Sequence, residues 1–375
     1  MRCRCLRVLQ MLNFLRKFAS LKIALLGMAL LAIGAMLSYG NPLGTPVWVL
    51  VAPMALLAVN LVAAITTNPR INQQPGLLVF HVALLLLLLL ATVGRLTHLD
   101  AHLELVVGTG FEADKLLEIN AGPLHPGSFD SVHFVQGPYT VEYSPGMQRG
   151  LTHSHVKVKT AAGAWEGRIV GDDRPLVMDG YRFYTTFNKG FTSVLTWLPA
   201  GGAPVTGSVN MPSYPLFEYK QDNRWTPHGS NTEIKFWLQL KTAMNAEAHW
   251  VLDAASSSGV LIVTSGDKRY EVRLGEFVDL PQGRLRFEAL TMWMGYRLFY
   301  DPTIQWLFFV AIMGILGLTH YFWKKINLQP WMDEKPDTIA EQAGKPLDGI
   351  GSPSSGKPSG NNAPVTTAYL TGEKH

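Results

Sequence analysis

Residues 77–94 read LLVFHVALLLLLLLATVG. No charge interrupts the stretch, and its length is close to the ~20 residues that an α-helix needs to cross the hydrocarbon of a bilayer. Leu84 to Leu90 is unbroken leucine, apolar on every helical face. Only a membrane or a very large core buries such a segment. Three further uncharged apolar runs have the same character: Ile23–Tyr39, Pro46–Thr66 and Ile304–Trp323. The first is too long for a signal peptide, and Ser38-Tyr39-Gly40-Asn41-Pro42 after it offers no small-x-small cleavage site. The sequence therefore predicts an integral membrane protein with four transmembrane helices.

Lysine and arginine placement sets the expected orientation. Arg2, Arg4, Arg7, Arg16, Lys17 and Lys22 precede the first span, Arg70 lies in the Thr67–Gly76 turn, and Lys324 and Lys325 follow the fourth span. The Gly40–Thr45 turn carries neither residue type. Both termini are thus expected in the cytoplasm, with a large segment outside. The expected divisions are a cytoplasmic leader over 1–22, three helices within 23–94, an extracytoplasmic domain over 95–303, the fourth helix over 304–323 and a disordered cytoplasmic tail over 324–375.

The outer segment reads as β. Short alternating runs recur at Leu103–Val107, Tyr139–Tyr143, His155–Thr160, Trp165–Val170, Tyr181–Thr186, Thr192–Trp197, Glu233–Leu240, Val260–Thr264, Arg269–Leu274 and Arg284–Leu290. Gly, Pro, Asn and Asp punctuate them. The fold class expected is all-β and sandwich-like, with two lobes if the Pro/Gly/Asn-rich stretch Gly201–Asn231 is a divider. Gly180–Tyr184 and Gly295–Tyr300 echo one another (GYRFY and GYRLFY) and suggest a weak repeat.

With 47% hydrophobic and 16% charged residues and a net charge of +4, the chain gives no sign of a nucleic-acid partner. Its only cysteines are Cys3 and Cys5, which excludes a disulfide framework, a C-x-x-C redox pair and a C-x-x-C-H haem attachment site. Metal binding or acylation by these two competes with a plain leader role, or with a true start at Met11. No Ser-His-Asp arrangement, H-E-x-x-H motif, nucleophile elbow or phosphate loop is present. The chain is expected to act as a scaffold and ligand donor rather than a catalyst.

Chemistry is thus sought among polar groups inside the membrane. His81 stands five residues into the third span, and an ionisable residue there is a functional-site candidate. It is open to three roles: metal or haem ligand, proton relay, or hydrogen-bond partner of a neighbouring helix. His320, four positions before Lys324, is the second candidate. At ~1.5 Å rise per residue both are expected roughly 6–8 Å inside the cytoplasmic boundary, a level suited to bis-histidine ligation. Tyr321 and Trp323 beside it favour an interfacial aromatic belt. His153 and His155 share a strand face without a third ligand, and His98 and His102 would share a helical face if the third helix continued. The Asp172-Asp173 pair reads as a turn.

Four motifs carry a resemblance. They are FASLKIAL (18–25) at the mouth of the first span, FHVALL (80–85) in the third, DRPLVMDGYRFY (173–184) in the outer segment, and FYDP (299–302) before the fourth span. In this order, with three spans, an outer domain and one more span, they resemble the ResB (CcsB) family of cytochrome c biogenesis proteins of the System II pathway. The resemblance covers nearly the whole chain outside leader and tail. It implies a bacterial inner-membrane protein with a periplasmic domain, a ResC/CcsA-type membrane partner, apocytochrome c as client, and transient, non-covalent haem b. It also implies that His81 is an axial ligand of the haem iron, with the second histidine supplied by the partner; His320 matches no family motif. The rival class is a membrane-anchored extracytoplasmic sensor or structural protein, against which four spans are more than a sensor needs. A transporter is disfavoured by the lack of inverted repeats or interrupted helices.

Overall fold

The computed structural model describes residues 17–160, 162–227, 232–241 and 244–327. Cys3, Cys5 and the Glu334–His375 tail lie outside the described residues. The chain divides into a unit ending at Trp323 and a second beginning at Lys324.

Four helices are long and apolar enough to span a membrane. They are α1 (Leu21–Gly40), α2 (Trp48–Thr67), α4 (Pro75–Thr97) and α5 (Ile304–Asn327), with a one-turn α3 (Pro69–Asn72) between the second and third. Ser20 caps α1 by accepting from the Lys22 amide at 3.3 Å, and Asn68 caps α3 by accepting from Arg70 at 3.0 Å. Asn60, buried inside α2, is satisfied by donating its amide to the Phe18 and Ser20 carbonyls at the entrance of α1. A polar side chain within the membrane thereby locks α1 to α2.

The end of α4 decides how the membrane part meets the rest. A helix leaves its last carbonyls without intrahelical partners, and here each finds one. The His98 amide reaches Gly94 O at 2.8 Å, His98 Nδ1 reaches Arg95 O at 2.8 Å, the Leu124 amide reaches Leu96 O at 2.8 Å, and His125 Nδ1 reaches Thr97 O at 3.1 Å. The chain then enters β1 (Leu99–Val106) at once, while β15 (Gly283–Tyr300) ends just before α5. The two strands pair antiparallel from Leu99↔Tyr300 to Val106↔Trp293. Arg297 and Asp100 clamp this junction with two charge-assisted hydrogen bonds, one of 2.8 Å. The third and fourth spans thus continue without a linker into paired strands.

β15 is also the spine of a seven-stranded sheet with β2 (Leu117–Ala121), β6 (Leu176–Met178), β7 (Tyr181–Pro199), β8 (Val205–Asn210) and β14 (Phe277–Leu280). A four-stranded sheet joins β11 (Trp250–Leu252), β3 (Phe134–Ser144), β4 (Gln148–Lys159) and β5 (Trp165–Val170). Another joins β13 (Lys268–Val272), β12 (Gly259–Ser265), β10 (Ile234–Leu240) and β9 (Asp222–Trp225). Alternating inward residues of all three, among them Phe134, Phe183, Phe236 and Phe287, build one hydrophobic core. The architecture is four membrane-length helices plus a large antiparallel β domain.

Two expectations are corrected, and the Pro/Gly/Asn-rich stretch Gly201–Asn231 gains structure: its described residues include β8 and β9, which belong to two different sheets. The GYRFY and GYRLFY echo is strand pairing rather than repetition, since Tyr181 faces Tyr300 and Phe183 faces Leu298 across β7 and β15. The runs Tyr181–Thr186 and Thr192–Trp197 belong to the single strand β7, interrupted by a bulge in which Thr186, Phe187 and Asn188 stand opposite Gly295 alone.

Candidate functional site

His81 sits near the start of α4, half-buried, with Phe80 edge-on at a ring separation of 5.4 Å. Its Nδ1 lies 2.7 Å from the Leu77 carbonyl one turn earlier. A carbonyl can only accept, so Nδ1 carries the proton and the Nε2 lone pair remains available. A backbone acceptor on one ring nitrogen is the usual way an imidazole is oriented for metal ligation through the other. No described side chain hydrogen-bonds to Nε2.

The packing of α4 on α5 decides where that lone pair points. A Cβ on Gly76 would stand 2.8 Å from both Gly317 O and the Tyr321 amide, and one on Gly317 would stand 2.9 Å from the Phe80 amide. Ala83 meets Gly314, and Gly94 meets Asp301 and Thr303. Gly76, Ala83 and Gly94 recur at helical spacing, so they form one line of small residues along α4 that lets α5 approach to backbone contact. His81 is five residues past Gly76, about 140° around the helix. Its side chain therefore leaves α4 on a side turned away from α5.

His320 is elsewhere. Its exposed ring flanks the α4–α5 seam, with Cδ2 3.0 Å from where a Gly76 Cβ would be. It is thus level with Gly76, about 7–8 Å along the axis from His81, and not at the shared depth that counting from the helix ends predicts. The offset arises because α5 runs on to Asn327, beyond Lys324 and Lys325. The fold does not bring the two imidazoles together.

The outer histidines also separate. α4 ends at Thr97, so His98 and His102 do not share a helical face. His98 is a buried cap whose pKa is lowered by burial and by the nearby Arg95, and His102 pairs with Glu118 at 3.2 Å. His153 and His155 both face outward from β4, opposite Thr140 and Ile169 respectively. Among the described residues no three His, Cys, Asp or Glu side chains gather around a metal position. Asp172 is more than a turn residue: Arg149, Thr185 and the Thr152 amide all donate to it. Burial pushes its pKa up, but these donors outweigh burial and hold it below the usual carboxylate value.

One buried group leaves no signal in the sequence. Lys189, just after the β7 bulge, is 1% exposed, and its side-chain nitrogen donates to the Thr186 carbonyl at 3.1 Å, its one hydrogen-bond partner among the described residues. Burial foremost, then the neighbouring Arg149, lower its pKa to about 7 against the pull of Asp172. Asn188-Lys189-Gly190 reads as a surface turn, and only the bulge turns the lysine inward.

Fold and site together define a multi-pass membrane protein with a β-rich domain built directly onto its third and fourth spans. No protein-family model and no curated protein matches the chain. Among solved structures, one titled Cytochrome c Heme Lyase CcmF is similar, at 14% identity and a TM-score of 0.26. The match covers 81% of this chain and 35% of that one, so the chain spans about a third of that protein's length. A likeness this distant carries no argument, and the functional reading rests on the chain's own residues.

Proposed function

We propose that this chain is the membrane subunit of a complex that carries haem across the membrane and attaches it to apocytochrome c outside, in the manner of the ResB (CcsB) family. His81 holds the haem iron from one side through Nε2, and a histidine of a ResC/CcsA-type partner holds it from the other. The observation that carries this reading is His81 itself: a membrane-embedded imidazole with Nδ1 committed to Leu77 O, directed away from α5. Two imidazoles on haem iron set its reduction potential and shield it while it is reduced, as thioether attachment requires. The haem is held transiently and without covalent bonds, since the chain has no C-x-x-C-H motif. His320 serves the interface of α4 and α5 with the lipid.

On this reading residues 95–303 face the periplasm of a bacterial inner membrane, and both termini are cytoplasmic, as the Lys/Arg distribution favours. The test is co-purification of haem with the complex from a haem-competent host. His81→Ala is expected to lose most of the bound haem, and added imidazole to restore part of it by filling the vacated position. His153→Ala and His155→Ala are expected to keep it. Full haem occupancy in His81→Ala without imidazole would remove the ligand assignment.

A further inference from the structure

β2, at one edge of the seven-stranded sheet, carries a single charge, Glu118, paired with His102, and is otherwise flanked by exposed apolar side chains. β2 pairs only with β1, and its surface carries Leu117 and Ile119, 47% and 53% exposed, followed by Leu124 at 64%. An apolar strand edge left in water invites pairing with other chains. Its position in the fold supplies a reason for tolerating it.

Ala121 lies opposite Leu99, the second residue after α4, and Leu117 lies opposite His102. At ~3.3 Å per residue β2 starts beside the helix end and reaches no farther than roughly 16 Å along the chain from Thr97. Three further contacts hold it there. The Gly122 amide donates to His98 O and the Leu124 amide to Leu96 O, each at 2.8 Å, while Asn120 donates its side-chain amide to Pro42 O at 3.1 Å in the turn between α1 and α2. The same level is marked by exposed aromatics at the helix ends: Tyr39 closing α1, Trp48 opening α2 and Trp306 opening α5. Such residues collect where hydrocarbon meets headgroups. The charged pair Lys115–Glu112 sits before β2, at its end farther from the helices.

We propose that β2 and the loop through Leu124 rest in the lipid interface of the leaflet facing the β domain, with Leu117, Ile119, Leu124 and the exposed Leu43 of the α1–α2 turn in contact with the headgroup–acyl boundary. The apolar edge continues the belt of the spans. Lipid covers the edge that water would leave open to aggregation, and the domain gains a second attachment to the membrane beside the α4–β1 and β15–α5 junctions. This inference needs only the four spans and does not depend on the haem reading.

The experiment uses the full chain with Cys3→Ser and Cys5→Ser, carrying single bimane-labelled cysteines in nanodiscs of phosphatidylcholine with phosphatidylglycerol. Ile119→Cys and Leu124→Cys are the test positions, and both native side chains are exposed, so the fold tolerates them. Val205→Cys, on the exposed β8 far along the sheet, is the water reference, and Leu89→Cys in α4 is the lipid reference. The expected result is emission at shorter wavelength for 119 and 124 than for 205. Quenching by headgroup-level nitroxide lipid should be several-fold stronger than at 205, and quenching by aqueous iodide weaker. Positions 119 and 124 behaving like 205 would overturn the proposal. Shielding from both quenchers would also overturn it, because it would place protein on the edge in lipid's stead.

Discussion

Replacing Lys189 with methionine keeps side-chain volume and removes the charge. In the folded chain the amine gives up its proton near pH 7, whereas in the unfolded chain it holds it to about pH 10.4. The folded pKa is the lower of the two, so between these values the unfolded state binds more protons and stability rises with pH. Below pH 7 both states are protonated, and the burial penalty is at its full, constant value. Integrating between pH 7 and 9 gives about 2 kcal/mol of added stability from this one group. For a domain of this size that corresponds to roughly 4–8 °C in Tm. The assay is thermal unfolding of the full chain in detergent at pH 7, 8 and 9, followed by the fluorescence of its 10 tryptophans. Lys189→Met should melt higher than wild type at pH 7, and the difference should shrink as pH rises. Other titrating groups cancel in the comparison. Parallel pH profiles for the two proteins would refute the reasoning, since they would mean that the buried amine either finds its proton a stable home or sees solvent.

Tyr296→Phe removes the hydroxyl that donates to Gln136 at 2.7 Å and meets Ser154 at 2.9 Å between two sheets; stranding these buried partners should cost about 1–3 kcal/mol, read as a lowered Tm. Gly317→Leu forces atoms into the Phe80 and Gly76 backbone and should cost about 1–3 kcal/mol, while Ile315→Leu on the exposed face of α5 should be neutral; equal melting of the two variants would contradict the close α4–α5 seam. Reporter fusions after Gly40 and Gly201 are expected outside and a fusion after Asn72 inside, and a cytoplasmic signal at Gly201 would invert the proposed topology. His320→Ala should leave the visible spectrum of the haem-loaded complex nearly unchanged, and a loss comparable to that of His81→Ala would make His320 the second ligand.

The spans were legible because crossing a bilayer is a one-dimensional requirement: enough consecutive apolar residues, which Leu77–Gly94 and its three counterparts supply without reference to any other part of the chain. Most strands were legible for a similar reason, since Tyr139–Tyr143 shows within itself the alternation that buries Tyr139, Val141 and Tyr143. His81 and His320 stood out as ionisable residues within apolar runs. What the sequence could not give was anything set by partners distant along the chain. β7 looked like two strands because Asn188-Lys189-Gly190 mimics a turn, and only pairing with β15 shows a bulge that drives Lys189 inward. β8 and β9 were hidden in a Pro- and Gly-rich stretch because edge strands draw their order from the neighbour they pair with. The depths of His81 and His320 seemed equal when counted from the helix ends, yet the seating of Gly76 against Gly317 sets them about a turn and a half apart. Periodicity and length are local and survive in the sequence; register, burial of charge and the facing of one helix toward another are relations between segments, and only the folded chain fixes them.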